Sequence, residues 1–290
     1  MPEAVQHRLT SLVAFAGFFV SLSISPFYNF DGVLLVKVMA LSIFGLSILG
    51  ILIDQRKKIV PAVNKKLVVT SVFFIVWMTL VLFFSGSKIT QQFWGVFGRN
   101  TGFITYFCLT VILVSSSLLG QAENRRKVVS YFLITSYFVT AYCVIQLTGN
   151  DPIHWSEMRT FATLGNVNFL SAFLGLAAVV TINVHVLNKA QKNYLRIANL
   201  LLCILNLYVI KTTNSIQGLM VFAAGSILTA FMFLKYEKNI SKFWQTAYLS
   251  LALTSFIFTS LALFNKGPLA RFIFQESIVL RGDYMHEIGR

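Results

Sequence analysis

Nine stretches of this chain are apolar for long enough to cross a hydrocarbon layer, at 9–27, 32–53, 67–84, 101–120, 128–147, 164–187, 197–212, 216–234 and 246–264, and each is bounded by polar or basic clusters. A hydrocarbon core of about 30 Å takes about 20 helical residues to cross, so runs of this kind read as membrane-spanning helices. The composition agrees: 56% of the residues are hydrophobic, 12% are charged, and the mean hydropathy is +0.73. An ordinary soluble domain is excluded on those figures. With 28 Phe and only 5 Pro, so are collagen-like, low-complexity and disordered chains. At most about ten or eleven spans fit in 290 residues, which leaves little for a soluble domain. The first run follows MPEAVQHR with no small-residue cleavage site before the second, which favours a retained helix over a cleaved signal. Cys108, Cys143 and Cys203 each lie in an apolar run, so there is no disulfide framework and no metal-ligand spacing. The expected class is all-α, a polytopic membrane protein of about nine helices, with a transmembrane domain over 1–264 and an extracytoplasmic segment over 265–290.

The net charge of +14 must be divided between the two sides of the membrane before it says anything about partners. With a cytoplasmic N-terminus, the loops at 54–66, 121–127, 188–196 and 235–245 are internal, and together with Arg8 they carry 15 Lys and Arg. The helical body has 5 on the other side, and 4 more belong to the segment after 264. That bias sets the orientation and removes nucleic acid from the list of partners. Three outer segments are longer and richer than a turn needs: 85–100, 149–166 and 265–290. Their aromatics Phe93, Trp94, Phe97, Trp155, Phe161, Phe272, Phe274 and Tyr284 suit a membrane-interface belt. No internal repeat is visible of the sort that inverted-repeat transporters carry.

The informative cations are those the positive-inside rule does not explain. A Lys or Arg at a helix centre costs about 2.5 to 3.5 kcal/mol, so each needs a route to water or a partner. Lys37 lies about two turns into the second run, and Lys211 ends the seventh. Arg99 opens the fourth in GRNTG, Arg159 precedes the sixth, and Arg281 stands in RGDY. For each alone, snorkelling is a sufficient account, and Asp31 offers Lys37 a nearby carboxylate. Five cations at one depth repel one another unless an anion lies between them. They therefore point to a multiply charged ligand at the outer boundary, with a diphosphate the natural candidate because Arg grips phosphate oxygens through paired donors. In TLGNVNFL, Gly165 permits a tight backbone entry, while Asn166 and Asn168 can cap the sixth helix or offer amides to a cavity. A helix N-terminus adds partial positive charge at the same place.

These residues resemble the O-antigen ligase and O-antigen polymerase superfamily of bacterial inner-membrane glycosyltransferases. The likeness is carried by DGVLLVK (31–37), GVFGRNTGFITY (95–106), RTFATLGNVNFLSAFL (159–174) and SIVLRGDY (277–284), with TTNSIQGL (212–219) a weaker fifth. The third is the most specific. The chain departs from the family's usual pattern at Val167, where Pro is commoner, at Ile216 and Gln217, where Ser-Arg is frequent, and at Met285, where Trp is usual. Family members also continue into a large outer loop and further helices, so the resemblance implies a chain cut short at its C-terminus.

The resemblance implies a GT-C-like helical bundle that transfers a glycan from an undecaprenyl-diphosphate carrier to a hydroxyl on lipid A core, a polysaccharide or a protein. Arg99, Arg159 and Arg281, with Lys37 and Lys211, would hold the diphosphate as charge accumulates on it. Gly165, Asn166, Asn168, Asp283 and Tyr284 would shape the site. No metal, nucleotide or other cofactor is called for. A general base is best supplied by His, and of the outer histidines His154 and His286 the second follows RGDY and is the better choice. Asp283 and Glu287 remain alternatives. The reading from another class is a transporter or flippase for a lipid-linked or anionic substrate, which would also gather outer cations but calls for midplane ionisable groups and broken helices.

Overall fold

The computed structural model describes residues 2–25, 33–96, 100–153, 160–187, 192–236, 241–263, 266–268 and 270. Each of the nine apolar runs overlaps one helix. In chain order the helices are α1 (Glu3–Leu22), α2 (Leu34–Asp54), α3 (Arg56–Ile59), α4 (Lys65–Phe84), α5 (Ile89–Trp94), α6 (Phe103–Ser116), α7 (Ala122–Leu147), α8 (Val167–Leu187), α9 (Asn193–Thr212), α10 (Ile216–Tyr236) and α11 (Lys242–Leu263). Short 3-10 turns occupy Val60–Ala62 and Ala162–Leu164, and no strand occurs among the described residues. Seven helices, α1, α2, α4, α7, α8, α9 and α10, are long and apolar enough to cross a membrane. The protein is therefore all-α and, by the length and composition of these helices, a multi-pass membrane protein.

Helix ends depart from the apolar runs for local reasons. The fourth run is expected over 101–120, yet α6 has only 14 residues and rises about 21 Å. At its end the hydroxyls of Ser116 and Ser117 donate to the carbonyls of Ile112 at 2.7 Å and Val114 at 2.6 Å, a competition that weakens helix continuation. The next helix begins at Ala122 rather than near 128, because AENRRK is made of good helix formers with Glu123 in the first turn beside the positive end of the dipole. The first helix likewise begins at Glu3 rather than 9.

Two packed groups share α7. In the first, α1 runs parallel to α7, tied by Lys127 Nζ donating to Ser11 Oγ at 2.9 Å and by Phe15 and Phe18 against Tyr131. On its other side α1 meets α2 in antiparallel fashion, and α2 lies parallel to α6 so closely that a Cβ on Gly45 would stand 2.6 Å from Cys108 Cβ. Leu9, Val13, Ile48, Val111, Leu118 and Leu119 form the core there. In the second group α8 lies between α9 and α10, over a core of Val139, Cys143, Leu170, Leu174, Val209 and Ile210. Polar pairs attach α7 to α9: in the core Thr140 Oγ1 donates to Asn206 Oδ1 at 2.6 Å, and nearer the surface Tyr137 Oη to Asn199 Oδ1 at 2.9 Å. All three cysteines are free and buried.

The α8–α10 contact shows how such helices adhere. Ser171, Gly175, Val179 and Asn183 recur every four residues along one stripe of α8, facing Gly218, Gly225 and Thr229 of α10. A Cβ on Gly218 would lie 2.3 Å from the Ser171 carbonyl oxygen, and one on Gly175 2.3 Å from the Gly218 carbonyl oxygen. Small residues at this spacing let backbones touch, which matters where lipid competes with every apolar contact. Gly218→Ala should cost about 1–3 kcal/mol of stability by overpacking. Gly50→Ala, with nothing within 4 Å of an added Cβ, should instead stabilise slightly through helix propensity. Thermal unfolding of the two variants in detergent micelles checks both signs.

Candidate functional site at one end of the bundle

Because successive long helices alternate in direction, the C-termini of α1, α4, α7 and α9 and the N-termini of α2, α6, α8 and α10 gather at one end of the bundle. The loops rich in Lys and Arg lie at the other. Every cation and polar residue singled out in or beside the four family-like stretches up to residue 219 falls at the first end by this alternation, apart from those outside the described residues. Those are Arg99, Arg159, Arg281, Asp283, Tyr284 and His286, together with Asp31, His154 and Glu287.

The turn before α8 is built first by its own backbone. Gly165 has φ +73, a left-handed value that favours glycine, and a Cβ there would stand 2.6 Å from Val33 Cγ1. So the turn rests against the residue that opens α2. Asn166 Oδ1 accepts from Asn168 N at 2.8 Å, which satisfies one of the free amides at the start of α8. Asn168 in turn accepts through Oδ1 from Ser215 Oγ at 2.8 Å, joining the start of α8 to the α9–α10 turn. Ser171 completes this join. Its hydroxyl donates to the Ser215 carbonyl at 3.1 Å and accepts from Gly218 N at 2.9 Å. The third and fifth family-like stretches are thereby one hydrogen-bonded unit.

Lys37 brings in the first stretch, in a way that its position in the chain does not disclose. Its Nζ donates to the carbonyls of Val20 and Ser21, each at 2.7 Å. These are two of the last four carbonyls of α1, which no intrahelical amide can reach, and a cation is favoured at that negative end. The Ser21 carbonyl also accepts from Thr163 Oγ1 at 2.9 Å. A single carbonyl oxygen thus holds α2 and the Ala162–Leu164 turn to the end of α1. Two of the three Nζ protons are committed to α1, leaving one for anything else. By contrast Lys211, in the last turn of α9, is exposed; its helix ends at the next residue, Thr212, and Asn214 turns the chain with φ +52.

Two further features frame this end. The carboxylate of Asp151 accepts from Tyr142 Oη at 2.8 Å, Gln146 Nε2 at 2.7 Å and Ile153 N at 2.9 Å, while Gln146 Oε1 accepts from Ala162 N at 2.8 Å. Gln146 therefore pins both ends of the segment that contains Arg159. Gly95 and Gly102 lie back to back: Gly95 has φ +87, and a Cβ on Gly102 would stand 2.3 Å from Gly95 N. Beside them Asn100 is buried with φ +48, its Oδ1 without a partner among the described residues. Phe161, expected at the membrane interface, is instead 7% exposed and packs into the bundle, whereas Trp94 is 51% exposed.

Thr163, Ser171, Ser215, Gln146 and Asp151 were not singled out from sequence. Tyr142 and Gln146 lie one turn apart on α7 ahead of an isolated outer Asp, a spacing that signals the cradle. Nothing comparable marks Thr163. Among the described residues no three His, Cys, Asp or Glu side chains converge. Comparison with protein-family models, curated proteins and solved structures finds no match to this chain.

Lys37→Met should lower stability by on the order of 1–3 kcal/mol, because two terminal carbonyls lose a charged donor. Lys211→Met, at an exposed position, should change the unfolding midpoint little. Equal midpoints for the two variants would show that the α1 contacts contribute nothing.

Proposed function

We propose that this chain is a membrane glycosyltransferase of the O-antigen ligase and polymerase type, moving a glycan from an undecaprenyl-diphosphate carrier to an acceptor hydroxyl on lipid A core, a polysaccharide or a protein. On this reading it belongs to the bacterial inner membrane, with about nine spans in a GT-C-like bundle and its N-terminus in the cytoplasm. The observation that supports it most is the junction of three family-like stretches at one bundle end: Lys37 and Thr163 share the Ser21 carbonyl, and Asn168 bonds Ser215.

The chemistry follows from charge. As the bond from the anomeric carbon to the carrier breaks, negative charge grows on the diphosphate. Guanidinium groups fixed beforehand stabilise it without reorganisation. Arg99, Arg159 and Arg281 take that role, assisted by Lys211, by the remaining N–H of Lys37 and by the N-terminal end of α8. The Gln146–Asp151 cradle serves Arg159 by pinning the segment that carries it. His286 removes the acceptor proton, with the carboxylates of Asp283 and Glu287 as the alternative bases of the same segment.

With purified lipid-diphosphate donor and acceptor, Arg159→Ala and Arg281→Ala should each reduce transfer by about 100-fold or more, while Lys65→Ala at the basic end leaves it unchanged. Intact transfer in both arginine variants would refute the anion site. Movement of labelled lipid-linked sugar across liposomes without joining to an acceptor would establish a transporter or flippase instead.

A further inference from the structure

The opposite end of the bundle carries a crevice that the proposed chemistry does not use. The run Arg125-Arg126-Lys127 opens α7, and because each helical residue turns the chain by about 100°, its three cations leave in different directions. Lys127 reaches α1 and donates to Ser11 Oγ at 2.9 Å. Arg125 and Arg126 border a crevice between α7 and α8, walled by Val129 and Leu133 on one side and Val180 and Val184 on the other. Arg125 donates to the Gly120 carbonyl, and Arg126 has no hydrogen bond or ion pair among the described residues. Asn183 also borders the crevice, but both its N–H protons are taken, by Val179 O at 2.8 Å and Thr229 Oγ1 at 2.9 Å. The donors left to greet a ligand are therefore the guanidinium groups and the Ser130 hydroxyl. The slot opens on the flank of the bundle, where Val129 is 36% exposed.

A third arginine stands about two turns farther along the bundle than Arg125 and Arg126. In α9, Arg196 extends the buried stripe of Asn199, Cys203 and Asn206 by one turn toward the basic end, and its Nε is buried without a partner among the described residues. The Tyr137–Asn199 bond sets the register of α9 against α7, so Arg196 lies about one turn below it, level with Leu133.

Cations at the mouth and an apolar slot behind them define the occupant. A free phosphate leaves the valine and leucine walls bare, and a peptide brings amide groups those walls cannot satisfy. We propose that the crevice holds an anionic phospholipid, its phosphate against Arg125 and Arg126 and one acyl chain along Val129, Leu133, Val180 and Val184. Guanidinium pairs phosphate oxygens through parallel donors, and basic pockets between helices are suited to anionic headgroups.

Native mass spectrometry of the full chain in detergent, with phosphatidylglycerol, phosphatidylcholine or inorganic phosphate added, tests this. Phosphatidylglycerol should be retained over phosphatidylcholine, and Arg126→Gln should weaken it about five-fold, the effect of one interfacial cation. Val129→Trp, at an exposed wall position, should weaken it by filling the slot without touching a charge. Lys65→Gln, exposed at the start of α4, should leave retention unchanged. Equal retention of the two lipids would overturn the proposal, as would equal losses from Arg126→Gln and Lys65→Gln. So would displacement of the lipid by inorganic phosphate, which would mean a site for free anions.

Discussion

Inside a hydrocarbon layer an apolar side chain gains little by leaving lipid for another helix, so helices must be held together by close backbone approach and by hydrogen bonds. The structure obeys this constraint throughout. Where α8 meets α10 and α2 meets α6, glycines bring main chains into contact. Where α7 meets α9, Thr140 and Asn206, and Tyr137 and Asn199, bond across the interface. Large apolar side chains are turned outward instead: on α4, Phe73, Trp77, Phe83 and Phe84 are all exposed. A soluble protein would read the other way round.

The same constraint explains how the candidate site is assembled. An unsatisfied carbonyl at the end of a helix is costly near lipid, and the end of α1 is completed from outside by Lys37 and Thr163. Satisfying one helix end thereby fixes the turn before α8, and Asn168 then carries the connection to Ser215. Structural hydrogen bonding and site geometry are here one network, so Lys37 cannot be counted simply as a ligand-binding cation.

Much of this was legible in the residues. Long apolar runs between basic clusters announce helices because the membrane allows few other solutions, and alternation then sends Lys37, Gly165, Asn168 and Lys211 to one end. Helix ends were less legible. The start of α7 at Ala122 depends on polar helix formers outside the apolar run, and the early stop of α6 depends on serine hydroxyls. Least legible were long-range partners. Thr163 bonds a carbonyl 142 residues away, and no local pattern encodes that. Phe161 is buried for a similar reason, since burial is decided by what packs over a side chain rather than by its distance from a span.

The packing is uneven around the bundle, and α4 shows the consequence. The spanning stretch of α10 is only 6% buried but packs closely on α8, itself 44% buried, whereas α4, at 11%, has lighter contacts. Its partners are α6 and the short α5, and α6 is itself a short helix. Local opening needs least free energy where few contacts must break. The molecule thus has a stiff spine through α1, α7 and α8 and yielding flanks at α4 and at α11, which packs chiefly on α10. Changes in the thickness or lateral pressure of the bilayer would be felt first on those flanks, while the junction at Ser21 stays in register.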